Sequence, residues 1–146
     1  MLRYQEDNEL HRDFHGTTNT TIRYIAEHFG EDNLRKILRK TGHDVYKSIR
    51  EKLARGDASE LIEHLTWFFN REGGEFVLTV KPGLVRFEVK RCPAWEHVTK
   101  LGLEHAPGFC LQTEEINNGM CEGTPWKAHL ECLGDGRCVQ TFTLEK

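Results

Sequence analysis

Two cysteines near the C-terminus lie where a hairpin would bring their thiols together. Cys132 and Cys138 flank the loop Gly134-Asp135-Gly136. If Gly136 takes the left-handed conformation of a three-residue loop, residues 133 and 137 pair, and the two cysteines lie directly opposite each other on the inward face. Opposed side chains have Cβ atoms about 4.5–5.5 Å apart. Two thiolates at that distance can share a zinc ion, although two small buried hydrophobes explain the pattern equally well.

A helix predicted over 107–119 carries a second set of reactive side chains. Cys110, Glu114, Asn117 and Cys121 recur at helical spacing on one stripe, because a helix turns about 100° per residue. The neighbouring stripe is plainly apolar. A stripe of thiols, a carboxylate and an amide is typical of a functional pocket or of a half-exposed helix flank.

Third and fourth metal ligands are available in this part of the chain, because zinc takes Cys and His ligands. The candidates are Cys110, Cys121, His129 and His105. His129 lies three residues before Cys132, so a regular strand points it to the opposite face. It reaches the same metal only through a bulge.

Two further groups are weaker candidates. His11 and His15 are four residues apart around Asp13 and would share a helix face as a metal or acid–base pair, although a solvated face is the favoured interpretation. Cys92 precedes Pro93 and can be a helix N-cap thiol with a lowered pKa. Simple packing of Cys92 is favoured.

The elements that must position these groups form one α+β domain spanning residues 1–146. Apolar spacing predicts four helices, a hairpin, two helices and a second hairpin. Pro93 and Pro107 begin the two later helices. In the first helix the predicted inward residues are Ile22, Ile25 and Phe29, and in the second, which stops near Gly42, they are Leu34, Ile37 and Leu38. The third helix, capped by Asp44, has Tyr46, Ile49 and Leu53 inward, and the fourth, capped by Asp57 or Ser59, has Leu61, Leu65 and Phe68 inward. In the helix that begins at Pro93, the inward residues are Ala94, Val98 and Leu101. The predicted strands are Phe76–Val80 with Leu84–Lys90, in which Val85, Phe87 and Val89 face inward, and Trp126–Leu133 with Arg137–Leu144.

Composition narrows the class of protein. The chain has 146 residues, 20 basic and 23 acidic side chains, and a net charge of -3, so it lacks the basic surface of a nucleic-acid-binding protein. It has neither a long apolar run nor a signal-peptide core, which predicts no membrane contact and a cytoplasmic location. Five cysteines in a reducing compartment favour free thiols or metal ligands.

Several short motifs resemble one enzyme family. The runs DFHGTTNTTIRYIAEHFGEDNLRKIL, EHLTWFFNREGGEF, KRCPAWEHVTKLGLEHAPGFC and GDGRCVQTF look like the L-2-amino-thiazoline-4-carboxylic acid hydrolase family. That family is similar to 4-vinyl reductase ligand-binding domains and to Golgi transport-particle subunits. The resemblance implies N-terminal helices packed on a twisted antiparallel sheet of two hairpins, with helices between the hairpins, often in a homodimer.

The resemblance also implies a site. Related sensor domains bind zinc, and their ligands correspond here to Cys110, His129, Cys132 and Cys138, with His129 in place of a glutamate and a hairpin loop two residues shorter. The family name implies hydrolytic opening of a small cyclic amidine, a non-peptide C–N bond, for which the candidate catalytic residues are Cys110, Glu114 and His105.

Two other functions stay open at this stage. The chain is alternatively a non-catalytic small-molecule-binding or sensor domain with a structural zinc site, or a dimeric interaction module. Tyr46, Trp67 and Phe69 are spare aromatics once each helix has filled its inward stripe, so they are predicted to lie in a homodimer interface.

Overall fold

The computed structural model describes residues 12–146. It is an α+β fold with six helices and one four-stranded antiparallel sheet in that part of the chain. The elements are α1 (Phe14–Phe29), α2 (Glu31–Val45), α3 (Lys47–Ala54), α4 (Ser59–Glu72), β1 (Glu75–Lys81), β2 (Leu84–Arg91), α5 (Pro93–Lys100), α6 (Leu111–Cys121), β3 (Trp126–Gly134) and β4 (Arg137–Leu144). The predicted order of helices and hairpins is confirmed.

The two hairpins join through their second strands. The strand order is β1-β2-β4-β3, and β2 pairs with β4 in antiparallel register. Val85, Phe87 and Val89 are buried, while Arg86 and Glu88 form an ion pair on the other face. This alternation confirms the prediction of one packed and one solvated face.

One main core lies between the sheet and helices α3, α4 and α6. Its fully buried members include Ile49, Leu53, Leu61, Phe87 and Phe142. A second cluster joins α1, α2 and α5 around Ile22, Leu34 and Val98. Three side chains predicted to point inward are instead exposed: Phe29, Ile37 and Leu101. Phe29 is the last residue of α1 and Leu101 follows the end of α5, so neither continues a buried stripe, while Ile37 lies on the exposed side of α2.

Helix α2 is longer than predicted. It continues through Gly42 to Val45, so Asp44 lies inside α2, and Tyr46 occupies the N-cap position of α3. Gly42 marks a contact with α6, because a Cβ added there would lie 2.2 Å from the Ile116 carbonyl oxygen. A glycine that suggests a helix end is here the place where two helix backbones meet.

The contact between α2 and α6 is the most extensive between any two described helices. At a second close approach, a Cβ on Gly119 would lie 2.1 Å from the Arg39 carbonyl oxygen. Buried Glu115 accepts hydrogen bonds from Arg35 at 3.2 Å and from Arg39 at 2.9 Å. Because a buried carboxylate is stable only when it is paired, the two arginines are needed to neutralise the Glu115 carboxylate.

Helix α6 begins later than predicted. Residues 107–110 form turns, and the helix starts at Leu111 with Cys110 in the N-cap position. Gly108 has a φ of +78°, which is outside the helical region, so Pro107 cannot open a continuous helix. This segment is fixed to α1, because Asn19 donates to the Glu104 carbonyl at 3.0 Å and accepts from the Ala106 amide at 2.8 Å.

None of the helices within residues 12–146 is both long enough and apolar enough to cross a membrane.

Candidate functional site

A cavity of about 230 Å³ lies between the helices and the inner face of the sheet. Helices α1, α4, α5 and α6 form most of its wall, and the β3–β4 hairpin closes one side. Aromatic rings from α1, α4, α5 and the turn before α6 border it: Phe14, Phe68, Phe69, Trp95 and Phe109. A concave, mainly apolar space with a few convergent polar groups is typical of a small-molecule site.

The final hairpin pairs its two cysteines as predicted, but Cys132 is exposed and Cys138 is half-buried, so the two thiols are not both buried. Cys132 pairs directly with Cys138 in the sheet register. The loop differs in detail, because Gly134 rather than Leu133 pairs with Arg137 and a bulge lies between Cys132 and Gly134. The bulge absorbs Leu133, so a two-residue turn gives the same cysteine pairing as the predicted three-residue loop.

Cys110 joins this pair from the start of α6. Its thiol hydrogen-bonds Cys132, and both Cys110 and Cys138 border the cavity. Burial, with the neighbouring thiols Cys132 and Cys138 as smaller causes, raises the pKa of Cys110 to about 12. Burial first and Cys92 second raise the pKa of Cys138 to about 12, although a hydrogen bond to Gln140 opposes the rise. Without a cation, these two thiols are protonated at neutral pH.

Cys92 occupies the N-cap position of α5, in agreement with the prediction, and it also borders the cavity. The alternative of a lowered pKa is wrong. Burial raises the pKa of Cys92 and outweighs the hydrogen bonds from the backbone of Trp95 and Ala94. Desolvation of a thiolate here exceeds the stabilisation that a helix N-terminus supplies.

His129 lies apart from the three cysteines predicted to share a metal with it. It is exposed and alternates with inward-facing Ala128 and Leu130 along β3, so it lies on the sheet face opposite Cys132. The bulge comes after Cys132, too late to redirect His129. The four implied ligands therefore do not fit one zinc site in this arrangement. Across residues 12–146, no group of three or more His, Cys, Asp or Glu side chains is arranged to hold a metal ion.

Two of the three predicted catalytic residues lie outside the cavity lining. Glu114 pairs with Arg35 at 3.0 Å on the α2 side of α6. His105 stacks on Trp95 with ring centroids 3.5 Å apart and lies 3.1 Å from the Trp95 carbonyl oxygen. Of the three, only Cys110 borders the cavity.

A buried histidine–carboxylate pair also borders the cavity. His15 Nε2 lies 2.6 Å from Glu72 Oε1, and each side chain is only 7% exposed. His15 was a candidate only as the partner of His11, which lies outside the described residues. The partners are 57 residues apart in sequence, so no spacing pattern could have predicted this pair.

A second buried polar pair lies between α6 and β4. Asn117 donates to Gln140 at 2.8 Å, and both side chains border the cavity. Of the polar stripe predicted for this helix, Cys110 and Asn117 border the cavity, whereas Glu114 and Cys121 do not. The members of the stripe have different surroundings: the Glu114 side chain pairs with Arg35 of α2, while the Asn117 side chain borders the cavity.

The aromatic residues predicted for a dimer interface have other surroundings. Tyr46 borders the cavity and meets His64 edge-on. Phe69 packs on Phe76 and Phe87. These two are therefore not spare aromatics, while Trp67 is partly buried beneath the Arg71 guanidinium. A homodimer stays a prediction, without Tyr46 and Phe69 as its contacts.

Comparison with known proteins adds no family assignment: no family model matches the chain, and no curated protein matches it significantly. The family resemblance stays a prediction.

Proposed function

We propose that this protein binds a small, largely apolar molecule in the cavity between α4, α5, α6 and the β3–β4 hairpin. The observation that carries the proposal is a cavity of about 230 Å³ with aromatic walls and a few buried polar groups. An apolar cavity of about 150 Å³ in another protein holds benzene. The space here therefore suits a single-ring compound with a short substituent.

The polar groups of the cavity suit one uncharged polar end on such a ligand. Protonated Cys110 and Cys138 and the Asn117–Gln140 pair offer hydrogen bonds without a net charge. Burial of a polar ligand group is favourable only if it finds such partners. A substituted ring with one hydrogen-bonding group is the ligand class that we infer.

Hydrolysis of a cyclic amidine is the second candidate. The resemblance to L-2-amino-thiazoline-4-carboxylic acid hydrolases supports it, and so does the position of Cys110 at the cavity. Glu114 and His105 do not supply the acid and base that the reaction needs, because both lie outside the cavity lining. Zinc at Cys110, Cys132 and Cys138 likewise stays a prediction.

The arrangement of the chain also supports a more specific fold proposal. Four helices precede the first hairpin, two helices separate the hairpins, and the second strands of the hairpins are neighbours. We infer that the fold is of the 4-vinyl reductase and transport-particle type, which is consistent with ligand binding between the helices and the sheet.

Binding can be tested through one methyl group. The chain has two methionines, and Met120 borders the cavity. In protein labelled with ¹³C-methyl methionine, indole or benzyl alcohol should shift the Met120 signal in a saturable manner. Leu130→Trp, which fills the cavity, should abolish the shift, while Leu133→Trp at an exposed site on the same strand should keep it. A Met120 signal unmoved by these and other single-ring compounds at millimolar concentration would contradict the proposal.

A further inference from the structure

We propose that His15 and Glu72 form a general-base pair that activates water for hydrolysis of a small single-ring ester or amide held in the cavity. The inference rests on the proposed binding function and adds a reaction to it. It assigns the base to side chains other than Cys110, Glu114 and His105.

The geometry of the pair is that of a carboxylate-oriented imidazole. Glu72 Oε1 lies 2.6 Å from His15 Nε2, so Nε2–H donates to the carboxylate and Nδ1 keeps its lone pair. Within residues 12–146, neither side chain has any other hydrogen bond. Both side chains border the cavity and are more than nine-tenths buried. An imidazole held in one tautomer by a carboxylate is the arrangement that general-base catalysis requires.

The positions of the pair in their helices are unfavourable for stability alone. His15 lies in the first turn of α1, and Glu72 is the last residue of α4. A helix N-terminus disfavours a cation, and a helix C-terminus disfavours an anion. Each member therefore lies at the helix end whose partial charge opposes its own ionised form. Local rules are broken in this way most often at functional sites.

Side chains from other elements surround the pair. Cys92 approaches Glu72 from the start of α5, and the His97 ring centroid lies 6.2 Å from that of His15. His97 in turn lies 3.3 Å from Asp13. Glu72 also borders a second small crevice, whose other charged groups are Arg12, Arg91, Glu96 and Lys100. The Asn117 and Gln140 amides border the same cavity as the pair, and Asn117 donates to Gln140 at 2.8 Å. The second N–H of the Asn117 amide is the donor that this proposal assigns to the developing oxyanion.

The reaction balances without a co-reactant other than water. The water oxygen bonds to the acyl carbon as His15 Nδ1 takes the water proton. The bond from the acyl carbon to the leaving oxygen or nitrogen then breaks, and the imidazolium returns the proton to that leaving atom. The products are the carboxylic acid and the alcohol or amine. The volume of about 230 Å³ suits a single-ring compound.

The test uses 4-nitrophenyl acetate as substrate and its ketone isostere, 4-nitroacetophenone, as a probe that binds but cannot be hydrolysed. We expect the full-length wild-type protein to turn over many equivalents of the ester, which a single acylation of a thiol cannot do. His15→Gln should lower kcat by about 10²–10⁴-fold, the usual range for a general base. Glu72→Gln should also lower kcat, and this variant replaces His15→Gln in the test if His15→Gln does not fold. His97→Gln, next to the pair and outside the cavity lining, should retain most of the activity.

Two further measurements separate catalysis from structure. The wild-type kcat should fall when H₂O is replaced by D₂O, because His15 takes a proton from water in the reaction, and this isotope effect should vanish in His15→Gln. The ketone should still shift the Met120 methyl signal in both variants. Equal turnover by wild type and His15→Gln overturns the proposal, as does wild type that binds the ketone without hydrolysing the ester. If the ketone does not shift Met120 in the wild type, the binding function itself fails.

Discussion

Replacing Gly119 by alanine tests how far the stability of the fold depends on the close contact of α2 and α6. In an exposed helix this change is stabilising by up to about 1 kcal/mol, because alanine is the better helix former. Here the added Cβ would lie 2.1 Å from the Arg39 carbonyl oxygen and 2.8 Å from the His43 amide nitrogen. Close C···O contacts in proteins are about 3.3–3.6 Å. One helix must therefore move by roughly 1 Å.

The magnitude follows from two opposing effects. Overpacking usually costs about 1–3 kcal/mol and sometimes more, and backbone atoms cannot rotate away as a side chain can. The helix-propensity gain of about 1 kcal/mol offsets part of this cost. Separation of the helices also weakens the ion pairs of Arg35 and Arg39 with buried Glu115. We expect a net loss of about 2 kcal/mol or more.

Urea denaturation followed by far-ultraviolet circular dichroism measures this loss. With an m-value of about 2 kcal/mol/M, the midpoint should fall by about 1 M. Gly16→Ala is the matched control, because its Cβ would meet only the flexible ends of two side chains, Leu101 at 2.9 Å and Leu103 at 3.6 Å. That variant should stay within about 1 kcal/mol of the wild type. Gly119→Ala with wild-type or greater stability would refute the reasoning, and Gly42→Ala should resemble Gly119→Ala because it separates the same helices.

Three further predictions concern the thiols and the assembly. Burial raises the pKa of Cys121 to about 12 from the ordinary value of 9.0, so the folded state holds the proton more tightly. Stability should therefore fall as pH rises from 9 towards 12, by up to about 1.4 kcal/mol per unit for this thiol, and Cys121→Ala should fall less steeply in urea titrations at each pH. If Cys110, Cys132 and Cys138 hold zinc without His129, a strong chelator should lower the melting temperature, and Cys138→Ser should lose the metal. If these thiols are only packed, the chelator should have no effect, and Cys138→Ser should cost about 1–3 kcal/mol; the zinc content of protein purified without added metal decides between the two. Sedimentation should show a dimer at micromolar concentration, and a monomer would remove the dimer prediction.

The sequence was sufficient to predict a helix or strand, and which of its faces is buried, where the spacing of apolar residues within that segment determines both. Val85, Phe87 and Val89 alternate, and all three are buried. The cysteine pairing was likewise predicted from two short strands and a glycine-rich loop. In each case the information lies within about a dozen residues, and the physical cause is the two-residue repeat of a strand.

Features that depend on distant partners could not be predicted. In the sequence, a glycine such as Gly42 is equally compatible with the end of a helix and with a close contact between two helices. Only the position of Ile116 in the fold distinguishes the two. Glu114 and Glu115 are adjacent, yet Glu115 is the buried one, because Arg35 and Arg39 on α2 face it. The sequence shows the type and spacing of such side chains, while the partner that neutralises each charge is decided by the packing of whole helices.

The β3–β4 turn offers a last test, because two of its glycines differ in one respect. Gly134 and Gly136 have φ values of +88° and +75°, so alanine at either position carries a strain of about 1–2 kcal/mol. A Cβ on Gly134 meets open space, whereas one on Gly136 would lie 2.7 Å from Cγ of Trp95. Gly136 and Trp95 both border the cavity, so Gly136→Ala must move the hairpin or the indole. We expect both variants to lose similar stability to strain, while only Gly136→Ala weakens the response of the Met120 methyl signal to indole. Equal weakening in the two variants would mean that the turn acts through hairpin stability rather than through its contact with the cavity wall.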